Sequence, residues 1–436
     1  MNTLAVMDRI DKAIRFFIYT LVFVLPYSTA AVECCVIAAS LLWIIKRSIL
    51  ARQEISQRPD LKEKVFSSLK SFCPKDNFLN VPIAFFLGAC LLSTVGSAFF
   101  EVSLQGFIRK TLEWFAIYFL VLEVFTSDKY IRRFLCVVLL TTFLTCIDVL
   151  IQFYITGHDI FRGREVFGGR ATGPFKQANM LGGYLACVSP LVFSALYVMR
   201  KKSCARYFMA VFFVFALWGV FISFSRGAWV GLGAGLVFGL WITKRKVAVM
   251  GIVGLLVLMF FSYSFLSAEM KHRFRVDPDN ITATARWRVD LWKGSFKMIK
   301  DRPFFGHGLN IYMNLFQEYR TKLSGQFEYW PSYAHNCYIQ IAAETGVVGL
   351  SCFLWIIGLF FKKAGERLEV FWQSGEEGVV FVGLTVGLFI FLVHSFFDTN
   401  FYSLQLVAFF WLLLGAAVAI YNNILKHSSI CVTKET

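Results

Sequence analysis

The sequence predicts an all-α integral membrane protein of about twelve transmembrane helices, with one large loop on the outer side that contains an amphipathic helix. Three observations carry this. Hydrophobic residues make up 57% of the 436-residue chain and charged residues only 17%, with a mean hydropathy of +0.61, far from the composition of soluble domains. Apolar runs close to the twenty-residue thickness of a bilayer recur along its whole length. Lys and Arg are shared unequally between the segments that join those runs.

Taken in order, the runs lie near 13–29, 31–45, 79–99, 111–126, 134–155, 179–198, 207–225, 227–243, 247–267, 336–361, 379–397 and 403–425. Basic residues precede the first run, but no small-residue cleavage site ends it, so it reads as a retained span. The stretch 207–243 is too long for one crossing and divides at Arg226-Gly227 into two. Starting inside, 26 of the 44 Lys and Arg fall on the inner side; outside the 68-residue segment 268–335, which is exempt by its length, only seven fall on the other. Both termini are therefore expected in the cytoplasm. The formal charge of +16 reports this topology, and no nucleic-acid partner is expected. Eleven Cys, all but Cys337 within spans or on the inner side, indicate no disulfide framework. Three regions follow: membrane helices over 1–267 with a cytoplasmic linker at 46–78, the outer loop 268–335, and membrane helices with a cytoplasmic tail over 336–436.

The polar residues of interest gather on the outer side. Arg226 stands at the tip of the hairpin SFSRGAW. It reads either as an anchor to lipid headgroups or as a phosphate ligand, since guanidinium meets phosphate through two parallel hydrogen bonds. In the loop, TATARWRVDLWKGSFKMIKDRP has helical periodicity and ends at Pro303 and the GHG turn 306–308. On a helical wheel Arg286, Asp290, Lys293, Lys297 and Lys300 fall within about 40° of one line, whereas Arg288 falls opposite, among Leu291, Trp292, Ser295 and Ile299. A charge on an apolar stripe requires a partner, so Arg288 is preferred to Arg286 as a site residue.

The stretch HNCYIQIAAETG opens the tenth run. His335 is placed at the water boundary, where an imidazole is a candidate general base. Asn336 reads as a helix cap and Tyr338 as part of an interfacial aromatic belt, or both as substrate contacts. Glu344, two turns further on, is an ionisable group in an apolar span and needs a partner or a task. Arg170 and Asn179 in GGRATGPFKQAN, and His394 and Asp398 in HSFFDTNFY, are weaker signals on the same side. No His, Asp or Glu pair has metal-ligand spacing on a common face.

Together, RATGPFKQAN, SFSRGAWVGL, RWRVDLWKGSFKMIKDRPFFGHG and HNCYIQIAAETGVVGL resemble the bacterial O-antigen ligase and polymerase superfamily over roughly residues 165–400. The resemblance implies a GT-C-like glycosyltransferase of the inner membrane with its active site on the periplasmic face. It implies independence of metal and nucleotide, no cofactor, and a glycan donor linked to undecaprenyl diphosphate. Its catalytic residues fall on Arg226, Arg288 and His335, with Arg286 competing for the loop position. Implied acceptors are lipid A-core oligosaccharide for a ligase, a second lipid-linked glycan for a polymerase, or a protein hydroxyl. A transporter is the alternative of another class; it calls for mid-membrane charges and an internal repeat, neither of which the sequence has.

Overall fold

The computed structural model describes residues 3–56, 70–166, 168–199, 203–243, 278–319 and 333–432. The described chain is helical, with no strand beyond an isolated bridge between His158 and Glu165. Among the described residues, seven helices are long and apolar enough to cross a membrane, and two shorter apolar ones accompany them. The expected span at 247–267 lies outside the described residues, as does most of the linker after Ser56.

The elements run α1 (Thr3–Val24), α2 (Thr29–Ser56), α3 (Asn80–Val95), α4 (Phe100–Gly106), a π-helical turn Phe107–Leu112 and α5 (Glu113–Val124). Then come α6 (Asp128–Ile151), α7 (Ala178–Val198), α8 (Ser203–Ile222), α9 (Arg226–Thr243), α10 (Pro278–Asp301) and α11 (Tyr312–Tyr319). The C-terminal part holds α12 (Cys337–Gly365), α13 (Leu368–Gln373), α14 (Glu376–His394) and α15 (Leu404–Val432). A helix apolar on every side is stable only inside a bundle or facing lipid. Here α15 takes the inner place, with Trp411, Leu412 and Ala416 fully buried, and α14 packs beside it on α7 and α9.

At one end of the bundle, charges tie α1, α2 and α5 together. Lys46 reaches Asp11 and Glu123, both at 2.6 Å, Arg47 reaches Glu123 at 2.6 Å, and Lys75 donates to the Glu123 carbonyl. Buried charges are stable only when paired in this way.

The other end departs from the sequence reading. The tenth run predicts one straight helix, but α12 is broken at Gly346, whose φ of 70° and ψ of −176° are non-helical. Tyr338 and Phe353, fifteen residues apart, would stand about 22 Å apart along a straight helix; their rings are 6.4 Å apart. The first nine residues of α12 are therefore a separate arm, and Glu344 sits at the bend instead of two turns down a continuous span.

The segment after α10 caps both broken ends. Helix ends leave carbonyls and N–H groups without intrahelical partners. His307 N and Gly308 N donate to the carbonyls of Ala343 and Glu344, while Val347 N and Val348 N donate to those of Pro303 and Phe304. The approach is backbone on backbone: a Cβ at Gly346 would lie 2.1 Å from the Phe304 oxygen, and one at Gly306 would lie 2.5 Å from Glu344. This is the physical reason for the glycines in PFFGHG and ETGVV.

Candidate active site

The C-terminal end of α14 organises the site. His394 is fully buried in a slot between α7 and α9, where a Cβ at Gly183 would meet its ring at 2.6 Å and one at Gly227 at 3.0 Å. Asn400 donates to its Nδ1 at 2.9 Å, and Ser225 Oγ lies 3.4 Å from its Nε2. The next residue, Ser395, accepts from the backbone of Cys337 at 2.9 Å. These contacts hold the start of the arm, the start of α9 and the loop after α14 against one another.

Asp398, on that loop, is the partner of His335. His335 Nδ1 lies 3.3 Å from Asp398 Oδ1. An ionised carboxylate only accepts, so Nδ1 is the donor and Nε2 is left as an acceptor. Burial opposes ionisation of Asp398, but the hydrogen bond from His335, the nearby His394 and the N–H of Thr399 outweigh it and hold the carboxyl well below the usual carboxylate range. Trp287 of α10 packs its ring 5.1 Å from the imidazole. The backbone is strained here: His335 has φ of 47°, and Phe224, two residues before Arg226, has φ of 49°. Non-glycine residues in this region cost about 1–3 kcal/mol and cluster at functional sites.

Arg226 is the first residue of α9, and its side chain is exposed. Arg288 is half-buried on the inward side of α10, and its Nε is buried without a hydrogen-bond partner among the described residues. Burial lowers its pKa from the ordinary guanidinium value; Asp398 offsets this and the charge of Arg226 adds to it. The same interactions put Arg288 within electrostatic reach of both Asp398 and Arg226. Arg286 is exposed, and the wheel is reproduced: Lys293, Lys297 and Lys300 face outward while Leu291 and Ser295 are buried.

The remaining candidates make protein contacts. Asn336 caps the arm by accepting from Tyr338 N at 3.0 Å and Ile339 N at 3.1 Å. Tyr338 donates to the Leu392 carbonyl at 2.8 Å. Arg170 donates to the Ser223 carbonyl at 2.9 Å and to Asn179 Oδ1, which pins the loop before α7 to the hairpin turn beside Arg226. Glu344 accepts from Tyr402 at 3.2 Å and from Tyr312 N at 3.4 Å beside a cavity of about 30 Å³ that Lys110 and Asn310 also line. Sequence reasoning missed the pairing of His335 with Asp398. The available signal was a carboxylate closing the eleventh run on the same side as a His opening the tenth.

Fold and site thus define an integral membrane protein in which two Arg and a His–Asp pair converge at one end of a helix bundle. Residues 211–354 match the family model described as O-antigen ligase. This match supports the resemblance to the O-antigen ligase superfamily. That match contains Arg226, Arg288 and His335, whereas Asp398 lies beyond it. Among curated proteins, none matches the chain.

Proposed function

We propose that the protein is a metal-independent glycosyltransferase of the bacterial inner membrane. It moves a glycan from undecaprenyl diphosphate to a hydroxyl of lipid A-core oligosaccharide on the periplasmic face. The observation that carries this reading is the convergence of Arg226, Arg288 and the His335–Asp398 pair on one bundle end, within a chain that matches the O-antigen ligase family model.

In this reading His335 Nε2 takes the proton of the acceptor hydroxyl as its oxygen attacks the anomeric carbon. The bond from that carbon to the diphosphate oxygen breaks, and the lipid diphosphate departs with the electron pair. Arg226 and Arg288 meet the developing charge, each charge-assisted hydrogen bond contributing roughly 1.5–3 kcal/mol. Asp398 stabilises the imidazolium until its proton passes to water, so the proton balance closes with each turnover. Attack opposite the diphosphate inverts the anomeric centre.

The test uses a strain lacking the protein, complemented with wild type, His335→Ala or Arg288→Ala, with surface glycan resolved on gels and lipid-linked glycan extracted. Bare lipid A-core with long chains accumulating on the carrier is the expected result for both variants. Single repeat units on the carrier would instead make the protein a polymerase using the same donor. Full complementation by both variants would overturn the site.

A further inference from the structure

We infer that the outer face of α10 and the segment after it form a docking surface for anionic phospholipid at the membrane boundary on the side of the site. The argument rests on a sequence of surfaces read along one flank of the bundle. The flank of α3 and the lower part of α12 is exposed and apolar, with Phe85 against Trp355 (ring centroids 5.7 Å apart), and it continues to Val95 and Val347. At that level the segment after α10 joins it. Phe304 accepts from Val348 N, and Arg302 donates to the carbonyl of Gly96, just past the end of α3, at 2.7 Å.

Here Phe304 and Phe305 turn outward, 66% and 41% exposed. Immediately beyond them lie the exposed Arg302, Lys300, Lys297 and Lys293. On the wheel, the exposed Val289 and Phe296 run beside this basic line, about 60–80° from Arg286. The order is apolar band, aromatic ring, basic rim, which is the order in which a bilayer presents hydrocarbon, interface and headgroup phosphates. The lower part of α12, Val347–Gly365, is then the true crossing, at about 1.5 Å per residue close to the hydrocarbon thickness. Cationic side chains at that height recognise anionic headgroups, whereas zwitterionic ones offer no net charge.

The experiment reconstitutes the full chain in nanodiscs free of lipid-linked glycan. One set is zwitterionic lipid alone, and the other contains roughly a third phosphatidylglycerol. Brief acetylation of lysines is read by mass spectrometry and normalised to the denatured chain. Lys297 and Lys300 are expected to label about fivefold more slowly in the anionic discs, and high salt restores the rate. Phe304→Ser with Phe305→Ser, which removes the wedge, is expected to reduce the protection. Equal labelling in both lipids overturns the inference. So does protection that appears only when a polyprenyl diphosphate is added, because the face would then belong to the carrier of the substrate.

Discussion

Gly346→Ala tests whether the broken helix builds the site. The substitution meets two costs that the structure separates. At φ of 70° and ψ of −176° an L-residue is strained by about 1–3 kcal/mol. The new Cβ would also lie 2.1 Å from the Phe304 oxygen and 2.5 Å from the Phe305 nitrogen, both backbone atoms that cannot swing aside. Relief requires the capping segment to withdraw, which endangers the four hydrogen bonds it makes with Ala343, Glu344, Val347 and Val348. At about 1 kcal/mol each, half of them lost brings the total to roughly 3–5 kcal/mol. Gly358→Ala is the control, because nothing lies within 4 Å of its Cβ and alanine is favoured over glycine in a helix by about 1 kcal/mol. Thermal midpoints from size-exclusion of detergent-solubilised protein should fall clearly for Gly346→Ala and hold or rise for Gly358→Ala. Surface glycan should be lost with the former. A wild-type midpoint and wild-type glycan for Gly346→Ala would refute the claim that the bend is enforced by close backbone packing.

Further outcomes follow from the site and the opposite end. Asp398→Asn should reduce the transfer rate about 10- to 100-fold with little change in apparent donor affinity, measured in reconstituted membranes, because the residue orients His335 without touching substrate. The carboxyl of Asp398 is depressed in the folded protein; its contribution is therefore complete above the ordinary carboxylate value of about 4 and is lost only as pH falls through the lower folded value. The loss in Asp398→Asn should accordingly persist across about pH 6–8, and disappearance of the difference with pH in that window would exclude the assignment. Arg288→Lys, which keeps charge but not the two-pronged geometry, should lose roughly 10- to 100-fold of activity while the protein still accumulates in the membrane. Glu123→Ala leaves Lys46 with Asp11 alone and takes the carboxylate from Arg47; it should cost about 1–3 kcal/mol of stability without altering the site, seen as a lowered midpoint in the same size-exclusion assay.

The helices were legible where a single period decides the matter. The wheel of α10 separated Arg288 from Arg286 because burial on one face repeats every 3.6 residues, and the structure places the two accordingly. The hairpin at Arg226 was legible because 37 apolar residues do not fit one crossing. The bend at Gly346 was not, since hydropathy continues through ETGVVGL and the cause of the break is a distant backbone segment supplying hydrogen bonds. The pairing of Asp398 with His335 escaped for a related reason. The role of Asp398 comes from lying beside His335 across a gap of 63 residues in sequence, which periodicity does not encode. Asn336 was legible as a helix cap, and it accepts from the arm's own N–H groups; the hydroxyl of Tyr338 goes to α14, a partner that its place in an aromatic belt does not specify.

The C-terminal tip of α14 touches α7 through Gly183, α9 through Gly227 and the arm through Cys337. Four separate pieces of chain are thus registered to one datum, and errors in the placement of one do not propagate to the next. A scaffold indexed in this way lets the loops around the site change widely while the alignment of His335, Arg226 and Arg288 stays fixed. Under the proposed transfer reaction, a change of acceptor then needs loop variation alone, without rebuilding the site.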